Sequence, residues 1–297
     1  MFRIHLLDGT YELFRAFHGA PSRLTSSGEE VGATIGFVQS VLGLLHGGEV
    51  THLACAFDHV IESFRNDLFP GYKTGAGMDP LILAQFGLVE EAARAMGVPY
   101  WPMIQFEADD ALASAAAQWS TDPRVSQILI CTPDKDLAQC VSDQRVVCFD
   151  RRSRTMIDAQ GVRDKYGVDP ASIPDWLALV GDSADGIPGI TGWGKKSAAT
   201  VLGHYKHLEG IPRRADEWVI PVRGARKLAR NLAEGWNQVQ LYRQLATLRL
   251  DVDLEFGVDD VKWAGVPRRI FQQLCDRLEQ PGLTERVPRW ATTRREA

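Results

Sequence analysis

Residues 181–199 of the chain read GDSADGIPGITGWGKKSAA, with two aspartates first, then spaced glycines, then two lysines ahead of small residues. Gly189, Gly194 and Lys195 match G-x-x-x-x-G-K, the pattern of a loop in which backbone N–H groups and a lysine bind a nucleotide phosphate. Position 196 is Lys where that pattern needs Ser or Thr, however, and the preceding IPDWLALVGDSADG predicts a helix and a turn rather than a strand. The stretch is therefore not a nucleotide-binding loop, and we expect its glycines to contact another phosphate.

The charge of the chain is unevenly distributed along its length. The 297 residues carry a net charge of −5 and have a pI of about 5.8, which argues against non-specific polyanion binding by the whole surface. Between residues 190 and 230, nine Lys and Arg stand against three acids, a local balance of +6. This region is thus the part of the chain that we expect to bind an anion.

Cysteine usage and hydropathy indicate a soluble protein of a reducing compartment. The five cysteines are odd in number, form no C-x-x-C pair and mostly lie in apolar runs such as LACAF, as expected of reduced, buried thiols. The N-terminus shows no signal peptide, and no run approaches the roughly 18 apolar residues of a membrane span. We therefore expect a cytoplasmic protein with no membrane partner.

Short apolar runs at 2–7, 51–57, 127–131 and 145–149 alternate with helical patterns. This alternation predicts an α/β fold in which helices cover a parallel sheet. One helix is well marked, with Asp79 as its cap, Pro80 in its first position and Gly97 at its end.

Beyond about residue 170 the strand signal fades, and SAATVLGHY and GARKLARNLAEGWNQVQLYRQLATL predict helices. The excess of Lys and Arg over acidic residues also begins soon after residue 170. We therefore expect two regions, an α/β region at 1–170 and a helical region at 171–297.

Acidic residues follow several of the predicted strands. Ligands of open parallel sheets bind outside the carboxyl ends of the strands, and crowded like charges destabilise a fold unless a cation compensates them. Carboxylates offer only oxygen ligands, which predicts Mg²⁺ or Mn²⁺. Nine carboxylates are more than one ion needs, which suggests two ions about 4 Å apart that flank a phosphate. The nine carboxylates are those of Asp8, Asp58, Glu107, Asp109, Asp110, Asp134, Asp136, Asp182 and Asp185.

Five motifs occur in order between Phe2 and about Asp253: LLDG, AFD with SFRNDLFPGYK, EADD, TPDKDL and GDSADGIPGITGWGKKSA. Together they resemble the 5′-nuclease family, which includes bacterial and phage 5′-to-3′ exonucleases, flap endonucleases and the N-terminal nuclease domain of bacterial DNA polymerase I. The resemblance implies a PIN-like parallel-sheet core with a helical arch segment at about 61–95, followed by a helix-three-turn-helix DNA-binding module. It also implies that Asp182 and Asp185 complete a second metal site, whereas the other seven acids build the first site and its surroundings.

The resemblance implies different roles for the two ends of residues 181–199. In the family this stretch joins the second metal site to the module that grips duplex DNA. Backbone N–H groups at Gly189, Gly192 and Gly194 would approach a DNA phosphate beside a monovalent ion such as K⁺. Lys195 and Lys196 would stand at the start of the next helix. Such contacts position a duplex without reading its bases.

Residues 61–80, IESFRNDLFPGYKTGAGMDP, resemble the start of the arch through which these nucleases hold a free 5′ strand. The resemblance implies that Arg65 and Lys73 contact phosphates and that Tyr72 stacks on a base. Relatives often carry Arg three residues after this lysine, where the present chain has Ala76. Lys73 is therefore expected to make the catalytic phosphate contact alone.

The implied activity is that of a structure-specific 5′-nuclease acting on DNA 5′ ends and flaps in replication or repair. The implied partner is duplex DNA with a free 5′ single strand, and we expect a monomer that works beside a separate polymerase. Two alternatives stand beside this interpretation. The acids alone would suit a metal-dependent ribonuclease of related fold, and the basic module alone would suit a catalytically weak, structure-specific DNA-binding protein.

Overall fold

The computed structural model describes residues 1–292, so the last five residues of the predicted 171–297 region lie outside the described residues. The described chain forms two compact units, and neither is a continuous stretch of sequence. The first contains Met1–Ile61, Gly75–Cys131 and the described residues from Asp251; the second contains Glu62–Thr74 and Thr132–Leu250. The expected division near residue 170 does not coincide with these units, and the predicted arch segment at 61–95 is divided between them.

Helices and strands alternate in the first half of the chain, and helices predominate in the second. In chain order the elements are β1 (Phe2–Asp8), α1 (Gly9–Gly19), α2 (Gly32–His46), β2 (His52–Asp58), α3 (Phe64–Leu68), α4 (Pro80–Leu83), α5 (Phe86–Ala95), β3 (Tyr100–Met103), α6 (Ala108–Trp119), β4 (Val125–Cys131), β5 (Val146–Asp150), β6 (Thr155–Ile157), α7 (Ala159–Tyr166), α8 (Ile173–Val180), α9 (Lys195–Tyr205), α10 (Ala225–Glu234), α11 (Trp236–Ala246) and α12 (Arg268–Arg277).

The first unit is built on four parallel strands in the order β3-β2-β1-β4, with Leu7 of β1 opposite Cys55 of β2 and Cys131 of β4. The strands β1, β2 and β4 are buried nearly throughout, as is typical of parallel strands that helices cover on both faces. These three strands confirm the predictions at 2–7, 51–57 and 127–131. The sequence missed β3, a four-residue strand whose Pro102 is tolerated because β3 lies at an edge.

The helix predicted from Pro80 to Gly97 is observed as two helices. Its start is confirmed, since the Asp79 carboxylate accepts the N–H of Leu81 at 2.9 Å. The backbone N–H of Gln85 donates to the carbonyl of Ile82, three residues earlier. The side-chain amide of Gln85 donates to the carbonyl of Leu81 at 3.1 Å. The buried Gln85 side chain also accepts the N–H of Thr34 at 2.9 Å. The α-helical pattern of hydrogen bonds is interrupted there because a tertiary contact holds Gln85, which sequence periodicity does not reveal.

The second unit is mainly helical. The helix α8 packs against α9 and α11, and β5 and β6 form an antiparallel pair in which Phe149 lies opposite Met156. The strand predicted at 145–149 is confirmed as β5, whereas β6 was not predicted. The helices predicted beyond residue 170 are confirmed as α9, α10 and α11.

Helix hydropathy and thiol state are both visible in the structure. No helix in residues 1–292 is long and apolar enough to cross a membrane. All five cysteines are free thiols, and four of them are buried while Cys140 is half-buried. The prediction of unpaired, mostly buried thiols is therefore confirmed.

Candidate metal centre and nucleic-acid interface

Asp8 ends β1 and caps the helix that follows it. Its Oδ1 atom accepts the backbone N–H of Tyr11 at 2.8 Å in the first turn of α1. A carboxylate in this position satisfies an N–H group that the helix itself cannot pair, and it faces the positive end of the helix dipole. The backbone thus fixes the Asp8 carboxylate at the carboxyl end of its strand, where the sequence predicted it.

Asp58 ends β2 and forms hydrogen bonds to residues at the starts of both α1 and α6. Its own N–H donates to the Thr10 hydroxyl in α1, and its Oδ1 atom accepts the N–H of Ala108 at the start of α6, each at 2.8 Å. The position of this carboxylate is therefore set by two helix N-termini of the first unit.

Three further acids lie at the start of α6. Glu107 is the N-cap residue, and its N–H donates to Oδ2 of Asp110 at 3.0 Å. Glu107 and Asp110 are buried, and Asp109 is half-buried. Buried carboxylates are costly unless hydrogen bonds or cations compensate them, and the helix start supplies the hydrogen bonds. All five acids of the first unit therefore lie around the N-terminal ends of α1 and α6.

The acids of the second unit form a tighter group. One carboxylate oxygen from each of Asp136, Asp182 and Asp185 lies within 4.8 Å of the others, and we call these three residues the aspartate cluster. Asp182 and Asp185 belong to the turn after α8, which two reciprocal 2.8 Å backbone hydrogen bonds between Asp182 and Ile187 close. The resemblance assigned Asp136 to the first metal site; the structure groups it with Asp182 and Asp185.

Asp136 has the environment within the aspartate cluster that most favours a cation. Its Oδ1 atom is buried and accepts no hydrogen bond within residues 1–292. Burial, followed by the charges of Asp134 and Asp185, raises the pKa of the Asp136 carboxyl well above its ordinary value. A divalent ion would add positive charge to this group of carboxylates. The all-oxygen set therefore fits a hard ion such as Mg²⁺ or Mn²⁺.

Lys135 is the cation nearest to two members of the cluster, and sequence reasoning did not single it out. Its Nζ atom forms a short ion pair with Oδ2 of Asp182 and lies 3.6 Å from Oδ1 of Asp136. Burial of the ammonium opposes its charge, but the charge of Asp136 and the hydrogen bond to Asp182 outweigh burial and raise the pKa of Lys135 above its ordinary value. The available signal was its place between two acids in TPDKDL.

The structure brings Lys73 to the third member of the cluster. Its Nζ atom lies 3.1 Å from Oδ1 of Asp185, and its backbone N–H donates to the Asp185 carbonyl at 3.0 Å. A Cβ at Gly186 would lie 2.1 Å from the carbonyl of Gly71, so the two backbones approach too closely for a side chain. The predicted phosphate-binding lysine is therefore fastened beside the aspartate cluster.

Two other residues predicted in the same segment are placed differently. Arg65 is 1% exposed, and its guanidinium donates to the carbonyls of Leu245 at 2.7 Å and Thr247 at 3.2 Å at the end of α11. Tyr72 is 4% exposed, with the Lys73 ammonium 5.6 Å from its ring centroid. The structure thus corrects both predictions, because Arg65 is a buried anchor of α3 and the Tyr72 ring lacks the exposed face that base stacking needs.

The glycines between residues 189 and 194 differ in their surroundings. A Cβ at Gly189 would lie 2.6 Å from backbone atoms of Val180 and Gly181, so packing requires this glycine. Gly192 has a φ of +85°, which favours glycine over other residues. Gly194 is exposed, and a Cβ there would meet nothing within 4 Å. The bare backbone that a phosphate could approach is therefore found at Gly192 and Gly194.

A basic surface adjoins this glycine loop. The indole of Trp193 donates to the Leu228 carbonyl of α10 at 3.1 Å, and the Asn231 amide donates to the Thr191 carbonyl at 2.7 Å. These bonds hold α10 against the loop while its outer face carries cations. The exposed basic side chains of α9 and α10 are Lys195, Lys196, Arg226, Lys227 and Arg230.

The chain matches two family models along most of its length. Residues 3–167 match the model described as 5′-3′ exonuclease, N-terminal resolvase-like domain, and residues 168–269 match 5′-3′ exonuclease, C-terminal SAM fold. The second match begins close to the predicted boundary near residue 170 and contains the glycine loop and its basic surface.

Individual proteins show the same similarity. DNA polymerase I of Pseudomonas aeruginosa is 34% identical over 89% of the chain, which spans only 29% of that protein. A 5′-3′ exonuclease of Aquifex aeolicus is 29% identical, covering 96% of the chain and 94% of its own length. The flap endonuclease of bacteriophage T5, solved as a pseudo-enzyme–product complex with DNA and metal ions, shares the fold with a TM-score of 0.64 and 19% identity, covering 94% of this chain and 100% of the T5 chain.

Proposed function

Because the chain belongs to the 5′–3′ exonuclease family, we propose that it hydrolyses DNA phosphodiesters at or near 5′ ends and flaps with divalent metal ions. The observation that carries this proposal is the aspartate cluster, in which one oxygen from each of three carboxylates lies within 4.8 Å of the others. Its member Asp136 also has a buried oxygen that accepts no hydrogen bond within the described chain. The family match favours a DNA nuclease over both a ribonuclease of related fold and a DNA-binding protein without catalysis.

Mg²⁺ is the proposed ion, and Mn²⁺ is proposed to replace it. Each chain is proposed to bind two such ions. The aspartate cluster is proposed to hold one ion, and the five acids of the first unit are proposed to serve another. When bound, such ions activate water and stabilise negative charge on a phosphoryl oxygen. The chain keeps its carboxylates in place beforehand through the helix starts that hold Asp8 and Asp58 and the closed turn that holds Asp182.

Lys73 is proposed to contact the scissile phosphate. Its ammonium lies 3.1 Å from Asp185 and keeps partial exposure, so it can donate to a phosphate oxygen at the aspartate cluster without leaving its position. Ala76 is exposed and carries no charge, which leaves Lys73 as the proposed donor of this segment. A positioned cation of this kind stabilises charge that develops in the transition state.

The glycine loop and the basic faces of α9 and α10 are proposed to hold the duplex part of the substrate. Backbone N–H groups near Gly192 and Gly194 would approach one phosphate, with K⁺ bound by neighbouring carbonyls. Lys195 and Lys196 would contact phosphates alongside. Removing both charges should weaken duplex binding and reduce the slope of log affinity against log salt by up to about 0.9 per lost contact, measured by fluorescence anisotropy.

Cleavage of a 5′-labelled flap tests the proposal directly. We expect short labelled products with Mg²⁺ present and intact substrate in EDTA, because the carboxylates alone supply no activated water. A blunt duplex and a single strand of the same sequence serve as matched substrates that show whether the 5′ flap is preferred. Cleavage that persists in EDTA would contradict the proposal.

The protein is proposed to act as a monomer and to be located in the cytoplasm. The family match supports a nuclease that binds duplex DNA with a free 5′ strand, and each chain carries the aspartate cluster and the basic faces of α9 and α10. Sedimentation of the protein with and without an unlabelled flap measures the stoichiometry. A complex with two protein chains per flap would contradict the monomer.

A further inference from the structure

The ammonium of Lys135 occupies the oxygens that a divalent ion at the aspartate cluster would use. It pairs with Oδ2 of Asp182 and lies 3.6 Å from Oδ1 of Asp136. We propose that Lys135 is a built-in competitor of the metal: it neutralises the cluster without metal, withdraws when the ion binds, and so sets the metal concentration at which the site fills. This inference rests on the proposed metal-dependent function and specifies how that site is regulated.

The backbone delivers this ammonium to the cluster in a fixed way. Oδ1 of Asp134 accepts the N–H of Asp136 at 2.8 Å, which closes a small turn around Lys135, and the Asp134 N–H donates to the Thr132 hydroxyl at 3.2 Å. Lys135 has helical backbone angles, with φ of −73° and ψ of −25°. The lysine therefore starts from a held backbone position, and only its four-carbon side chain needs to move.

The exposures of the three side chains show which group can withdraw. The Lys135 side chain is 32% exposed, whereas those of Asp182 and Asp136 are 6% and 10% exposed. The ammonium can thus swing toward water while both carboxylates stay in place. A flexible lysine stem with a strongly hydrated head suits such a movement better than the planar, fork-shaped guanidinium of Arg.

Charge makes the two cations mutually exclusive at the shared oxygens. Mg²⁺ binds carboxylate oxygens at about 2.0–2.1 Å, so an ion on Asp182 and Asp136 would lie within a few ångströms of the ammonium as now placed. Like charges at that separation repel strongly in a partly buried site. The ammonium of Lys73 pairs with Asp185, whereas that of Lys135 pairs with Asp182 and lies near Asp136.

Mn²⁺ binding tests the proposal without relying on activity. Wild type, Lys135→Met and Lys135→Gln are titrated with Mn²⁺, and the free ion is measured by electron paramagnetic resonance. We expect both variants to bind the ion at least about tenfold more tightly. The matched control is Lys165→Met, which removes a charge near the Tyr166 ring and should leave Mn²⁺ affinity unchanged.

Thermal unfolding provides the second measurement. In EDTA both Lys135 variants should unfold at a lower temperature than wild type, because the cluster loses its counter-charge, and Mn²⁺ should restore more stability to them than to wild type. Unchanged or weaker Mn²⁺ binding by both variants, beside normal binding by wild type, would overturn the role of Lys135 alone. Absence of Mn²⁺ binding by wild type would overturn the proposed metal site and this inference together.

Discussion

The acids of the first unit and those of the second are held by different partners. Asp8 and Asp58 accept backbone N–H groups at helix starts, so their positions belong to the fold. The aspartate cluster is instead faced by the lysine ammoniums of Lys135 and Lys73. One set is preorganised by the backbone and contributes to folding, while the other stores electrostatic repulsion that a cation relieves. The two sets therefore differ in how they are held in the fold, although both are proposed to serve metal ions.

The largest effect is expected from removing charge at the aspartate cluster. Asp182→Asn with Asp185→Asn should reduce single-turnover flap cleavage by well over about 100-fold, since even outer-shell partners of a metal are worth about 10–100-fold. Duplex affinity should stay within about twofold, because the basic faces of α9 and α10 are unchanged. Equal losses in cleavage and affinity would contradict a division between chemistry and binding.

The next effect concerns the lysine beside the cluster. Lys73→Ala should lower the single-turnover rate by about 100-fold, as for loss of one oriented electrostatic donor, while affinity changes little. Ala76→Arg, which adds a guanidinium three residues further on, should raise the rate. A wild-type rate for Lys73→Ala at saturating enzyme would show that its ion pair with Asp185 is structural only.

Stability in EDTA distinguishes a crowded acid from a paired one. Asp136→Asn should raise the free energy of unfolding, because burial and the neighbouring carboxylates raise the pKa of this carboxyl and disfavour its charged form. Asp169 is the paired counterpart, since its contacts with Lys206 at 3.0 Å and Arg163 at 3.2 Å lower the pKa of its carboxyl. Asp169→Asn should lower the free energy of unfolding by less than about 1 kcal/mol, as is usual for a partly exposed ion pair. Urea denaturation in EDTA measures both, and changes of the same sign would remove the distinction.

The smallest effect tests the acids of the first unit. Asp8→Ala should lower the free energy of unfolding in EDTA by about 1 kcal/mol, the usual value of a helix cap. Asp158→Ala offers an ordinary cap for comparison, since its carboxylate accepts the N–H of Gly161 at 2.9 Å at the start of α7. A stabilising effect of Asp8→Ala would mean that Asp8 is crowded like Asp136, and the two acid sets would no longer differ.

Strand periodicity and motif order predicted most of the fold and the general position of the acids. Asp8 and Asp58 could be placed because parallel strands carry their ligands at their carboxyl ends. Arg65 and Tyr72 could not, because a basic or aromatic residue in a motif looks the same whether its side chain is buried or exposed. Lys135 could not be singled out either, because its ion pair with Asp182 joins segments that are distant in sequence. Tertiary contacts, such as those of Gln85, also decided where a strongly helical pattern broke.

The discontinuity of the two compact units affects how the protein can be divided. The chain passes from one unit to the other at residues 61–62, 74–75, 131–132 and 250–251. A fragment cut near residue 170 would carry Asp136 without Asp182 and Asp185, and it would lack the residues beyond Asp251 that complete the first unit. Genetic exchange of one half of the gene would therefore transfer neither unit intact. A split-protein design should therefore keep all the stretches of a unit together rather than divide the chain near residue 170.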